Sequence, residues 1–144
     1  FHRDAGSRNL VEIHGDIHDL YCTRCSYQTT VPDYSALGLP PSCPRCHALV
    51  RPRVVLFGEV LPSHAIQHLY RELDQGFDLV FSIGTTSVFP YIAGPVVRAS
   101  QMGIPTVEIN PGATHVTHFV DYKLASGAAA SLRAIRQAFQ QARY

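Results

Sequence analysis

Cys22-Thr23-Arg24-Cys25 and Cys43-Pro44-Arg45-Cys46 decide how this 144-residue chain is read. Each is a CxxC pair, 17 residues lie between them, and the chain has no other cysteine. Two short knuckles, each offering two thiolates across a loop of this length, meet the needs of a tetrahedral zinc site. Rival uses explain less. Two disulfides suit a secreted chain, and neither a signal-peptide pattern nor a membrane-length apolar run is read here. A thioredoxin-like pair opens a helix, whereas turn-like residues flank each pair here. Cys43-Pro44-Arg45-Cys46-His47 also matches the CxxCH haem-attachment pattern, but haem leaves Cys22 and Cys25 unused and requires export. Zinc uses all four thiols, and His47 is then a bystander.

Working outward, the segment from Tyr21 to about Val50 holds few large apolar residues, among them Tyr27, Val31, Tyr34, Leu37 and Leu39. It cannot build a core of its own, so metal binding is expected to supply much of its folding energy. A closed four-thiolate site is structural and says little about activity.

The rest of the chain is long enough for one modest core beside the zinc insert. The whole chain's 46% hydrophobic content and net charge of +1 read as globular. Lys123 is the sole lysine and the arginines are scattered, so no basic stripe marks a nucleic-acid surface. Arg24, Arg45, Arg51 and Arg53 lie in or near the insert, and read as a solvated surface. The eight histidines sit mostly singly. No internal repeat or low-complexity stretch is present.

Periodicity predicts a short buried strand over residues 10–13, ending at His14-Gly15, and a second over residues 54–57, stopping at Gly58. A helix follows over residues 62–74, with Pro62 in its first turn and Ile66, Leu69, Tyr70 and Leu73 on one face. Residues 77–83 read as a continuous apolar strand, 92–102 as a helix stopped by Gly103, 104–109 as a strand, 122–125 as a short strand and 129–141 as a final helix. Alternating β and α elements with nearly continuous apolar strands predict an α/β fold with a parallel sheet and helices on both faces, read here as a partial Rossmann-like sheet carrying the zinc ribbon as an insertion. The expected organisation is residues 1–20 as the first Rossmann-like piece, 21–52 as the zinc-binding subdomain and 53–144 as the Rossmann-like continuation.

In such sheets ligands bind beyond the carboxyl ends of the strands. Those ends carry His14-Gly15, Phe57-Gly58-Glu59, Gly84-Thr85-Thr86 and Asn110-Pro111-Gly112. They could line one cleft. Equally, they could be ordinary strand-to-helix turns, which favour the same residue types.

The run Asn9-Leu10-Val11-Glu12-Ile13-His14-Gly15, then the four cysteines, then Arg51-Pro52-Arg53-Val54-Val55-Leu56-Phe57-Gly58-Glu59 resembles the sirtuins, NAD-dependent protein-lysine deacylases. Ile83-Gly84-Thr85-Thr86 and Val107-Glu108-Ile109-Asn110 continue the resemblance in order, and Arg51 to Glu59 is most similar to the bacterial and mitochondrial deacylase branch. The resemblance implies that His14 is the general base, taking a proton from a ribose hydroxyl of NAD. It implies that Val55, Phe57, Gly58 and Glu59 bind the substrate peptide as an added strand. Gly84, Thr85, Thr86, Asn110 and Ala128 would contact the co-substrate NAD. Cys22, Cys25, Cys43 and Cys46 would hold a structural zinc ion.

The implied reaction transfers the acyl group of an acylated-lysine protein or peptide to the ADP-ribose of NAD and releases nicotinamide, placing the protein among transferases and hydrolases. The glycine-rich phosphate segment and the Thr-Gln-Asn motif of sirtuins do not occur here, so the chain resembles the carboxyl-terminal portion. It is expected to be inactive alone, to need the amino-terminal half of the same protein, and to be cytoplasmic without membrane or nucleic-acid partners. The Gly84 to Pro90 loop is one residue shorter than the commonest family form. A non-catalytic zinc-ribbon module that binds a protein or nucleotide is the alternative reading.

Overall fold

A computed structural model describes residues 2–142. The chain divides into two compact units, Phe1–Asp74 and Gln75–Tyr144, each with its own sheet.

The first unit is built on an antiparallel sheet of β1 (Gly15–Cys22), β2 (Gln28–Thr30) and β3 (Val50–Val54), in the order β2-β1-β3. β1 buries Leu20 and Cys22 on alternate positions, as a half-buried strand should. β3 is an edge strand, so Pro52 can sit in it without costing a ladder hydrogen bond to a further neighbour. Leu20, Cys22, Cys43 and Val50 form the core, with Tyr27, Val31, Tyr34 and Leu37 packed on it. Leu39 does not join them and is 80% exposed. Helix α1 (Ser63–Gln75) follows, and the Pro62 carbonyl accepts the N–H groups of Ala65 and Ile66 in its first turn.

Two expected strands are corrected here. Residues 10–13 form no strand: the Ile13 N–H donates to Val11 O and the Gly15 N–H to Glu12 O, closing tight turns. The strand starts where it was expected to end. Gly15 has φ +81° and pairs with Val54, and a Cβ there would meet the Arg53 carbonyl oxygen at 1.9 Å. Only glycine fits both demands. The second correction concerns residues 54–57. Strand pairing ends at Val54, and the chain turns at Leu56 to Glu59 with a hydrogen bond from Glu59 N–H to Leu56 O. Gly58, at φ +86°, occupies the third position, which a type II turn reserves for such a backbone. Apolar composition suggested strands in both places, but turns take the Ile13 and Gly15 donors, and past Val54 the Val55 N–H goes to His14 O and the Leu56 N–H to the Glu59 carboxylate.

The second unit is a parallel sheet of β4 (Val80–Ile83), β5 (Thr106–Ile109) and β6 (Tyr122–Leu124), with β5 in the middle. Helix α2 (Pro90–Gln101) makes the crossover from β4 to β5 and buries Val96 and Ala99. It ends in a Schellman motif: Gly103 N–H donates to Ser100 O and Ile104 N–H to Ala99 O. Thr106 ties β5 to the entry of β6, giving its N–H and hydroxyl to the Asp121 carboxylate at 2.8 and 2.9 Å. Helix α3 (Ala128–Gln141) follows β6. This unit carries the α/β, Rossmann-like character expected of the chain. Among the described residues, no helix is long and apolar enough to cross a membrane.

Candidate functional site

The four cysteine sulfurs lie within 4.8 Å of one another. The Cys22–Cys46 and Cys25–Cys43 separations are 3.5 and 3.6 Å. Zn–S bonds of about 2.3 Å in a tetrahedron put sulfurs about 3.8 Å apart, so the cluster fits zinc with no room for a fifth ligand. Both knuckles are built alike. Cys22 N–H donates to Tyr27 O, and Cys43 N–H to Ala48 O. The Arg24 and Arg45 N–H groups point at Cys22 Sγ and Cys43 Sγ, at 3.3 and 3.4 Å. These donors favour thiolate. Burial pushes the Cys22 thiol up, but the Arg24 and Cys25 N–H groups and the neighbouring thiols outweigh it and bring it down to about 6. At Cys25 the Tyr27 N–H favours the thiolate, while burial and the three other sulfurs push it up to about 12. Four sulfurs this close cannot all ionise unaided; a divalent cation removes that conflict.

In the same unit, His14 is exposed in the turn before β1, and its carbonyl accepts the Val55 N–H at 2.9 Å. The backbone thus joins the candidate base to the first residue of the candidate substrate segment. Phe57 is 95% exposed, and Leu56 and Val60 are exposed beside it. These apolar side chains lie in solvent rather than in a core. Glu59 behaves differently. Its carboxylate accepts two bonds from Arg51, at 2.7 and 3.2 Å, and one from the Leu56 N–H at 3.0 Å. Arg51 also donates to Val54 O. The Arg51 guanidinium and then the Leu56 N–H hold the Glu59 carboxyl below the usual carboxylate range. The Glu59 side chain therefore shapes the segment from within.

In the second unit, Ile83, Ile109 and Leu124 lie side by side in register, so Gly84, Asn110 and the stretch leading to Ala128 leave the same end of the sheet. This is the carboxyl end, where α/β sheets bind ligands. Asn110 stitches the loops together: Nδ2 donates to Thr85 O at 3.1 Å, and Oδ1 accepts the Gly112 N–H at 3.1 Å. The His115 N–H donates to Thr86 O at 3.2 Å. Gly84, Thr85, Thr86 and Asn110 are thereby collected on one rim. Ala128 is the first residue of α3, four residues after the end of β6.

The sequence reading missed what lies under that rim. Glu108 is fully buried on β5 and accepts Thr114 Oγ1 at 2.5 Å, Thr117 Oγ1 at 2.7 Å and Lys123 Nζ at 2.9 Å. Burial pushes its carboxyl up, but the two hydroxyls and Lys123 together hold it below the usual range. Two signals were available: a charged residue inside an otherwise apolar strand, and the chain's single lysine one strand away.

A family model described as the Sir2 family matches residues 1–90. An "NAD-dependent protein deacylase 2" of Pseudomonas aeruginosa is 49% identical over 127 residues, 86% of this chain and 50% of that protein. A solved Sir2 homolog–NAD complex superposes with a TM-score of 0.76 at 34% identity, covering 95% of this chain and 55% of the other. A solved Sir2–p53 peptide–NAD+ complex gives 0.83 at 28% identity, covering 96% and 59%. The chain spans about half the length of the curated relatives it matches.

Proposed function

This chain belongs to the Sir2 family, and on that premise we propose that the protein carrying it removes acyl groups from protein lysines with consumption of NAD. The observation that carries the proposal is the rim of the second unit. There the Gly84-Thr85-Thr86 loop and Asn110 are bonded together at the carboxyl ends of three parallel strands. Curated relatives named NAD-dependent protein deacylases, and neighbours solved with NAD and with a peptide, support it.

Each part has a defined task in this reading. The Gly84 backbone approaches the nucleotide without a side chain in the way, while the Thr85 and Thr86 hydroxyls and the Asn110 amide offer hydrogen bonds to ribose. Asn110 keeps one amide hydrogen and one lone pair beyond those it spends on Thr85 and Gly112. Ala128 would lie near the adenine. NAD, when bound, supplies the acyl acceptor and the nicotinamide leaving group. His14 takes the proton of a ribose hydroxyl on its imidazole and so turns that oxygen into a nucleophile. Val55, Phe57 and Gly58 present backbone and an apolar surface to the acyl-lysine peptide, held in shape by Glu59. The zinc ion bound by the four cysteines has no open position and no part in the chemistry. We assign residues 21–52 to the zinc subdomain, with 1–20 and 53–144 as the Rossmann-like parts.

The test is to incubate the full-length protein with an acyl-lysine peptide and NAD and to count products. Nicotinamide and deacylated peptide should appear in equal amounts, and neither should form without the other substrate. Peptide binding with NAD left intact would instead support a non-catalytic zinc-ribbon module.

A further inference from the structure

The Asn110 amide is one link in a longer series of hydrogen bonds. Its Oδ1 accepts from Gly112 N–H, the Gly112 carbonyl accepts from Lys123 Nζ at 2.6 Å, and Lys123 Nζ is paired with Glu108 at 2.9 Å. On the other side, Asn110 Nδ2 reaches Thr85 O. The same carboxylate takes the hydroxyls of Thr114 and Thr117, fixing the far end of the loop, whose His115 N–H meets Thr86 O. A buried acid thus holds both ends of the loop that carries Asn110.

We propose that Glu108, acting through Lys123 and Gly112, is a positioning residue that sets the orientation of the Asn110 amide for the sugar of NAD. The inference rests on the cofactor role proposed above for Asn110. The physical case is one of fixed direction. Gly112 N–H can only donate and Thr85 O can only accept, so together they permit one of the two amide orientations. That selection holds only while Gly112 stays in place, and the Lys123–Glu108 pair keeps it there. A buried ion pair is a poor way to gain stability, because apolar residues of similar volume often do as well. It is a good way to fix a geometry that tolerates no alternative. No strand of the sheet needs a charge at position 108 for its own pairing, since the register with Ser82 and Lys123 is made by backbone.

The test is a double-mutant cycle in the full-length protein, reading KM for NAD, KM for the acyl peptide and kcat. Glu108→Gln should raise KM for NAD about tenfold and change kcat and the peptide KM less than about twofold; in an Asn110→Ala background the same change should move KM for NAD less than about twofold. A residue that only stabilised the fold would give equal effects in both backgrounds. Should Glu108→Gln fail to fold, Lys123→Met is put through the same cycle, and additivity there overturns the proposal equally. If Asn110→Ala alone leaves KM for NAD unchanged, the cofactor reading of Asn110 falls and the inference with it. If Asn110→Ala raises it but neither Glu108→Gln nor Lys123→Met does, only the inference falls.

Discussion

The two units hold their loops by opposite means. In the first, the core is largely the ligand set itself: Cys22 and Cys43 are two of its four buried members, and Cys25 and Cys46 pack against them. In the second, hydrocarbon from Val96, Ile109 and Val116 makes the core, and a buried carboxylate with internal partners organises the loop above it. A metal-dependent unit should fail all at once when its ion is withdrawn. A unit built on an internal ion pair should respond to pH and to single substitutions by degrees. The contrast shows that a fold can place its polar cross-links where hydrocarbon is scarce, or where one geometry must be selected.

The largest predicted effect breaks the first unit. Chelation, or Cys43→Ser, removes a contribution of roughly 10 kcal/mol, the scale for structural zinc, and should unfold residues around β1 to β3. Zinc content and the circular dichroism of the full-length protein report it. Retention of the fold at zero bound metal would remove zinc from the account. Next in size is Gly15→Ala, which places a Cβ at 1.9 Å from Arg53 O at a backbone φ of +81°. The cost should exceed about 3 kcal/mol in urea melts, because backbone rather than a flexible side chain must move.

Acid sharpens the comparison on the second unit. Glu108 titrates below the usual carboxylate range when folded, so the unfolded chain binds that proton more readily. Its stabilisation is complete above about pH 5, where the unfolded carboxyl is ionised, and drains as pH falls through the lower folded value. Glu108→Gln should flatten that part of the stability–pH curve, and an unchanged slope would contradict the assignment. Glu59 titrates in the same direction, but it is partly exposed and its share is smaller. The smallest stability change belongs to Phe57→Ala, within about 0.5 kcal/mol, since the ring is in solvent. Its effect should fall on peptide KM instead.

These contrasts also explain what could be read in the sequence. The zinc site was legible because thiolate spacing is covalent information, carried by four residues that have few other uses in pairs. The elements of the second unit were legible because hydrophobic runs bounded by Gly84, Gly103 and Asn110 leave few alternatives. The strands expected at residues 10–13 and 54–57 were not, because apolar composition does not say whether backbone N–H groups go to a neighbouring strand or to a turn. At Leu56 that choice was made by the Glu59 carboxylate, a side-chain acceptor three residues away. The same limit hid the role of Glu108, whose three partners come from positions 114, 117 and 123 and meet only in the folded loop. The motif marks Glu59 as part of a substrate segment but does not disclose that its carboxylate takes three donors from its own chain.

In the proposed function, His14 moves a proton in an NAD-dependent acyl transfer. Its most direct test is His14→Tyr in the full-length protein, measuring NAD affinity and the rate of deacylation on the same sample. The account predicts a rate lower by at least about a hundredfold, the scale for loss of a general base, with NAD still bound. Deacylation at the unaltered rate would contradict it.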